Sequence, residues 1–191
     1  MKPYTYLLVN FTCFIIPFLA SFYPKHAFYK SWKPFFKGSS IVALVFVVWD
    51  YFFTKFGIWG FNSEYLTGNY MGNLPIEEIL FFFCIPYACV FTYFAFQYLI
   101  IKNPLEKIQN IITNILIIFL LLIAIINLGK LYTSITFFST ALFLIFVWYN
   151  DTENLGIRFF NIPVEDSIYG MLLVFLNIEL YEYFKRVDEK T

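Results

Sequence analysis

Charged side chains are scarce in this sequence of 191 residues, of which only 14% are Asp, Glu, Lys or Arg. The basic and acidic residues number 13 each, so the net charge is zero and the basic surface typical of nucleic-acid binding is absent. Hydrophobic residues make up 60% of the chain and aromatic residues 24%, which is typical of an integral membrane protein.

Several common catalytic patterns are also missing. His26 is the only histidine, which argues against a His-rich zinc site and His-based di-iron chemistry. No G-x-G-x-x-G, Walker, G-x-S-x-G or H-E-x-x-H motif occurs, and no lysine lies in the middle of an apolar run to hold retinal. We therefore expect no cofactor and no metal. Cys13, Cys84 and Cys89 all lie in apolar runs, which favours packing over disulfide formation.

Six apolar runs are long enough to cross about 30 Å of hydrocarbon, and lipid requires such spans to be helical. They lie at 4–22, 39–56, 75–101, 108–128, 131–149 and 163–184. The sequence therefore predicts an all-α integral membrane protein with six transmembrane helices. The segment 23–38 mixes four lysines with aromatic residues, which predicts an interfacial stretch on the cytoplasmic side.

One motif occurs twice, as Leu74-Pro75-Ile76-Glu77-Glu78 and as Ile162-Pro163-Val164-Glu165-Asp166, with a register of 88 positions. The same register pairs Asn62 with Asn150, Gly68 with Gly156, Asn73 with Asn161 and Tyr93 with Tyr181. We interpret this as an internal duplication, with repeats at 1–103 and 104–191. Because each repeat holds three helices, the second copy is expected to be inverted relative to the first.

Each copy places two carboxyl groups in the first turn of an apolar helix, where a proline is well tolerated and the helix dipole favours anions. Adjacent helical positions differ by 100°, so we expect only one of Glu77 and Glu78 to face the interior. Burial favours the neutral form of a carboxyl group, which can then act as a general acid. Capping of the helix is the alternative. Asp50, late in the second helix, is either an interfacial residue or a third acid.

The chain resembles the membrane-embedded lycopene cyclases of the bacterial heterodimeric and fused fungal type. The similarity rests on Trp49-Asp50-Tyr51, on Gly57-Ile58-Trp59-Gly60-Phe61-Asn62, and on the run from Leu74 to Phe82. In the second copy it rests on Trp148-Tyr149-Asn150, Gly156-Ile157-Arg158, Ile162-Pro163-Val164-Glu165-Asp166 and Tyr181-Glu182. The likeness covers nearly the whole chain, with both cyclase-type repeats fused.

The resemblance implies a cofactor-independent isomerase that closes the ψ-end groups of lycopene into rings. An acid protonates C2, a dry aromatic pocket protects the cation while C1 and C6 join, and a base removes a proton. The implied catalytic residues are Glu77, Glu78, Glu165, Asp166 and Asp50. The expected substrate contacts are Pro75, Pro163, Asn62, Asn150, Phe81 and Phe82. The aromatic residues either face lipid or stabilise the cation.

Several alternatives stay open at the level of sequence. The acid is not distinguished from the base, nor a β-ring from an ε-ring. Inverted repeats would place one carboxyl cluster near each leaflet, so that Glu77→Gln and Glu165→Gln would each leave one-ring γ-carotene. A small proton-coupled transporter, a lipid-binding protein or a non-catalytic subunit of a carotenoid enzyme is the competing interpretation. Helices broken at Pro17 or Pro86 would favour transport.

The expected location is the bacterial cytoplasmic membrane, with several crossings. The expected partners are lycopene or a related acyclic carotenoid and the lipid bilayer, and no nucleic acid. Assembly with a second copy or with other carotenoid enzymes is left open.

Overall fold

The computed structural model describes residues 2–58, 60–99, 108–146 and 164–190, and this part of the chain is all-α apart from one short hairpin. Its helices are α1 (Thr5–Ala20), α2 (Trp32–Lys55), α3 (Ile76–Leu99), α4 (Gln109–Ile126), α5 (Leu131–Phe146) and α6 (Val164–Glu189). The predicted helical class is confirmed, and each helix overlaps one predicted apolar run.

Three helical stretches within the described residues are long and apolar enough to cross a membrane. They are Lys2–Ala20, Phe28–Lys55 and Ile76–Leu99. Two shorter apolar stretches, Ile111–Ile126 and Leu131–Leu142, lie in α4 and α5. A membrane crossing by all six helices, and the inversion of the second repeat, therefore stay predictions.

The chain divides into two compact units. The first unit comprises Met1–Ala95 and Leu173–Thr191, and the second comprises Phe96–Leu172. The first unit thus contains α1, α2, most of α3 and the C-terminal part of α6. The predicted repeat boundary between residues 103 and 104 concerns sequence ancestry rather than packing, and it stays a prediction.

An aromatic core holds the first unit together. Tyr181 of α6 is fully buried there, with its ring centroid 6.0 Å from that of Phe28. The whole core consists of Phe28, Phe35, Tyr87, Val90, Phe94 and Tyr181. Because lipid tails are as apolar as these side chains, dispersion between closely packed rings, and not exclusion of water, stabilises such a core.

A chain of hydrogen bonds joins the first three helices inside this core. Trp32 Nε1 donates to the hydroxyl of Tyr87 at 2.9 Å, and that hydroxyl lies 2.6 Å from Ser21 Oγ. Ser21 Oγ donates to the carbonyl oxygen of Pro17 at 2.7 Å, so Tyr87 must donate to Ser21. Each hydroxyl proton therefore has a defined acceptor, and the network fixes α3 against α1 and α2.

Helix α2 begins at Trp32, so the predicted start at 39 is wrong, and the second half of the predicted interfacial segment is helical. A contact with a residue far along the sequence accompanies this longer helix. Lys33 and Lys37, which made this segment too charged for a predicted span, both pair with Asp188 near the end of α6. Helix α6 correspondingly extends to Glu189, beyond the predicted end at 184.

Helices α1 and α3 run without a break through Pro17 and Pro86, respectively. A helix broken at either proline would have favoured a transporter, and neither α1 nor α3 is broken there.

The second unit is built on α4 and α5, which pack side by side and are joined by residues 127–130. Their contact buries the small or apolar side chains of Leu120, Ala124, Phe137 and Ala141. Ser134 Oγ donates to the carbonyl oxygen of Ala124 at 3.2 Å. The start of α6 contributes Tyr169, whose ring lies 6.5 Å from that of Tyr132.

Helices α2 and α6 cross closely at Gly38. A methyl group at this position would lie 2.9 Å from Leu180 Cβ and 3.1 Å from the Leu180 carbonyl carbon. Small residues allow such close backbone approach between membrane helices.

We expect Gly38→Ala to destabilise the fold by about 1–3 kcal/mol, the usual cost of overpacking. Helix propensity alone predicts the opposite sign, since alanine is favoured over glycine by up to about 1 kcal/mol. Thermal unfolding in detergent micelles measures the effect. Gly129→Ala is the control, because no atom lies within 4 Å of the added methyl group. A Gly38→Ala protein as stable as the parent would refute the close crossing.

The Asp188 contacts predict a pH-dependent stability. The hydrogen bond from Lys37, and the nearby charges of Lys33 and Lys37, lower the pKa of Asp188. A lowered pKa stabilises the fold above the ordinary aspartate value of about 4, and this stabilisation is lost as the pH falls through the lower folded-state value.

We therefore expect Asp188→Asn to lower the unfolding temperature slightly at pH 7, with a difference that closes toward pH 3. The neighbouring Glu189→Gln, at an exposed position, should change little at either pH. An equal decrease at both pH values would show that the ionised carboxylate of Asp188 is not what stabilises the helix contact.

Candidate functional site

Two carboxyl groups from neighbouring helices are buried against each other in the first unit. Asp50, near the end of α2, is 1% exposed, and Glu78, in the first turn of α3, is 8% exposed. Their side chains are hydrogen-bonded. An ionised carboxylate can only accept hydrogen bonds, so this contact requires one proton between the two groups. Asp50 is thus buried within the protein, and both its predicted role as an inward-facing acid and its interfacial alternative stay predictions.

Aromatic rings lie one helical turn from this carboxyl pair, toward the middle of each helix. Phe46 precedes Asp50 by one turn of α2, and Phe82 follows Glu78 by one turn of α3. The centroids of these two rings are 5.8 Å apart. Trp49 stacks on Phe46 at 6.0 Å. The buried carboxyl pair therefore has aromatic side chains one helical turn away on both helices.

Among the aromatic residues expected to contact substrate, Phe82 is fully buried and Phe81 is half-buried. The two rings are neighbours, with centroids 5.6 Å apart. Phe82 thus lies one helical turn from Glu78, and Phe81 occupies the position before it in α3.

Glu77 is fully buried as well, and its side chain is held by Thr67 of the preceding loop. Its Oε1 accepts hydrogen bonds from the backbone N–H of Thr67 at 2.7 Å and from the Thr67 hydroxyl at 2.5 Å. Both adjacent glutamates are therefore buried, and the expectation that only one of them faces the interior of the helix bundle stays a prediction. The loop before α3 covers Glu77, while α2 covers Glu78, so two different neighbours bury both side chains.

The loop that covers Glu77 is shaped by a short hairpin. Strand β1 (Tyr70–Met71) pairs antiparallel with β2 (Leu74–Pro75), through a turn at Gly72 with a φ of +67°. Pro75 is buried in β2, and α3 begins at the next residue, so the proline precedes the first turn in which it was predicted. Asn73 Nδ2 donates to the carbonyl oxygen of Tyr51 at 2.9 Å, which fixes the hairpin to the end of α2.

Asn62 lies at the surface of the same loop. Its side-chain oxygen accepts a hydrogen bond from the backbone N–H of Glu64 at 3.0 Å and caps the short 3₁₀ helix Ser63–Tyr65. This local role accounts for the asparagine. Contact with substrate stays a prediction.

Sequence reasoning missed two residues of this site, Asn10 and Thr67. Asn10 is 2% exposed in α1, and its Nδ2 donates to the backbone carbonyl oxygen of Glu77 at 2.7 Å. A lone asparagine in an otherwise apolar span was a usable signal, because polar groups at that depth need a partner. Thr67 carried no comparable signal, since threonine is common in loops.

The second copy of the motif can be placed only in part. Glu165 and Asp166 lie in the first turn of α6, but their side chains are outside the described part of the structure. Pro163 and Asn150 lie outside the described residues altogether. The equivalence of the two motifs therefore rests on the sequence.

Within the described residues, no three His, Cys, Asp or Glu side chains form a group that could hold a metal ion. The three cysteines are free thiols.

Comparison with known proteins gives one family. The family model described as "Lycopene cyclase" matches residues 3–96 and, a second time, residues 94–184. The two matches together cover nearly the whole chain, and they agree with the internal duplication. No curated protein and no solved structure matches the chain.

Proposed function

Because the chain belongs to the lycopene cyclase family, with two fused repeats, we propose that it closes the ψ-end groups of lycopene into β-rings. The reaction is an acid/base isomerisation without net redox change, so it needs no cofactor. The observation that carries the proposal is the buried, hydrogen-bonded pair of Asp50 and Glu78 beside the aromatic rings of Phe46 and Phe82.

Cyclisation begins with a proton on carbon, which needs a neutral acid in a dry site. The Asp50–Glu78 pair holds one proton in surroundings that exclude water, and it can deliver that proton to C2 of the end group. Protonation at C2 leaves a tertiary cation at C1. The C5–C6 double bond then attacks C1, and the charge moves to C5. Loss of the C6 proton gives a β-ring, and loss of a C4 proton gives an ε-ring.

The aromatic rings next to the acid suit the cationic stage of this reaction. The π faces of Phe46, Trp49 and Phe82 attract positive charge, most strongly where water is excluded. The aromatic residues also offer no lone pair that would trap the cation as an alcohol or ether. In this proposal the loop before α3, whose Thr67 contacts Glu77, also keeps water from the same end of the helices.

The duplication supports a second cluster, formed by Glu165 and Asp166 in the second repeat. Lycopene has two identical ends and is about as long as the hydrocarbon core is thick. In this proposal six helices cross the membrane, the repeats are inverted, and each cluster serves one end of the substrate. Phe138 stands where the first repeat has Asp50, so the second acid would rely on its own glutamate and aspartate.

In this proposal the protein lies in the bacterial cytoplasmic membrane, and its substrate is dissolved in the same bilayer. The apolar spans support a membrane location. A lycopene molecule dissolved in the hydrocarbon core reaches the site without entering water. Partner enzymes and self-assembly are not needed for the chemistry.

Pigment analysis tests the proposal directly. Lycopene-producing bacterial cells that express this chain alone should accumulate γ-carotene or β-carotene. Unchanged lycopene, despite good expression in the membrane fraction, would contradict the proposal and return the carboxyl groups to a role in transport or assembly.

The Asp50–Glu78 pair makes a sharper prediction. Glu78→Gln and Asp50→Asn should each abolish two-ring product, because removing a general acid slows its step by about 10²–10⁴-fold. Glu64→Gln is the matched control, since Glu64 is an exposed carboxylate of the loop before α3 whose side chain is 64% exposed. β-Carotene formation at the parental rate in Glu78→Gln would exclude this pair as the acid.

The second repeat is tested separately. Glu165→Gln should leave one-ring γ-carotene as the main product, because only the cluster of the first repeat remains intact. Glu189→Gln, at the opposite end of the same helix, should still give the parental pigment. Full conversion to β-carotene by Glu165→Gln would refute the two-cluster version while leaving cyclisation itself intact.

A further inference from the structure

The three buried carboxyl groups of the first repeat have different hydrogen-bond partners. Asp50 and Glu78 contact each other and share one proton. Glu77 has a different partner, because its Oε1 accepts two hydrogen bonds from Thr67, one from the backbone N–H and one from the hydroxyl. The other oxygen, Oε2, is buried and has no hydrogen-bond partner among the described residues.

Two donors on one oxygen stabilise the ionised form of a carboxylate. They also leave the second oxygen as the place where a proton can be accepted. A buried acceptor without a donor is costly, and in native proteins it requires an explanation. For a protein that must remove a proton from a substrate, a general base at this position is such an explanation.

We propose that the Asp50–Glu78 pair is the acid of the first repeat, and that Glu77, through Oε2, is its base. Thr67 and Asn10 are positioning residues in this assignment. It rests on the proposed function, because only cyclisation requires both an acid and a base.

The proton transfers balance. The pair gives its proton to C2 and becomes two adjacent carboxylates, while the substrate gains one positive charge. After C1 and C6 have joined, Glu77 Oε2 takes the C6 proton, and the electrons of the C6–H bond form the C5–C6 double bond of a β-ring. Glu77 then releases its proton to solvent, and repulsion between the two carboxylates of the pair favours uptake of one proton from solvent, so that both groups return to their starting states.

Positioning of Glu77 depends on both of its neighbours. Asn10 of α1 holds the backbone of Glu77 through the carbonyl oxygen, and Thr67 holds the side chain through Oε1. Asn10 and Thr67 together therefore hold both the backbone and the carboxylate of Glu77. Removal of the Thr67 hydroxyl leaves the backbone N–H in place, so it weakens the arrangement without removing the base.

Deuterium exchange separates the acid from the base. Membranes carrying each variant are equilibrated in D₂O, supplied with lycopene, and the recovered carotenoids are analysed for deuterium at C2. The parental protein should form rings that carry deuterium at C2. In Glu77→Gln the acid still deuterates C2, but ring closure cannot finish, and the pair takes back a proton from C2. The recovered open ends should therefore contain deuterium, with ring formation at this site reduced about 10²–10⁴-fold.

Glu78→Gln should lose ring formation at the same site without placing deuterium in the open ends, because no proton reaches C2. The assignment is overturned if the open ends from Glu77→Gln are free of deuterium, or if those from Glu78→Gln contain it. Parental membranes that form no ring refute the proposed function itself, and the assignment with it. Glu64→Gln should match the parental protein in both yield and isotope pattern.

Thr67 supplies a second test that does not require the Glu77→Gln protein to fold. Thr67→Val removes one hydrogen bond to a charged group, so ring formation at this site should fall about tenfold. The open ends should contain more deuterium than those of the parental protein. Thr67→Ser keeps the hydroxyl and should restore both values. Thr67→Val membranes with parental yield and no excess deuterium would overturn the positioning role and the assignment of Glu77 as base.

Discussion

The hydrogen bond between the buried carboxyl groups of Asp50 and Glu78 is the constraint on which the remainder of the site depends. Two ionised carboxylates at this separation would repel each other, and neither would have water to screen it. One retained proton replaces that repulsion with an attractive contact. The proton that holds the end of α2 against the start of α3 is therefore the one that an acid-catalysed reaction would use.

Such a pair needs a rigid frame, because a small separation of α2 and α3 would admit water and let both groups ionise. The first unit provides this frame at the far ends of the same helices. Tyr87 joins α3 to Trp32 of α2 and to Ser21 beyond α1, and Gly38 allows α6 to lie directly against α2. The half of α6 that completes this packing comes from the second repeat of the sequence, so the two repeats contribute to one packed unit.

The sequence alone predicted the helical class, the approximate position of every helix and the carboxyl residues of the first motif. These features follow from local composition and from a repeated pattern. Prediction from the sequence failed where a contact joins residues that are far apart in the chain. Lys33 and Lys37, near the start of α2, pair with Asp188, which is 151 positions from Lys37. Asn10 reaches Glu77 across 67 positions, and the covering of Glu77 by Thr67 could not be read from helix periodicity. The second motif agrees with the first in sequence, and its side-chain geometry was not predictable from that agreement.

We infer that the Asp50–Glu78 pair retains one proton at neutral pH. Infrared spectroscopy of the protein in lipid measures this protonation directly. A protonated carboxyl group has a carbonyl stretching band that a carboxylate lacks, and the band shifts in D₂O. We expect such a band in the parental protein at pH 7 and its loss in the Asp50→Asn, Glu78→Gln double variant, in which Glu77 is unchanged. Identical spectra for the two proteins in this region would contradict the shared proton and exclude the Asp50–Glu78 pair as the acid.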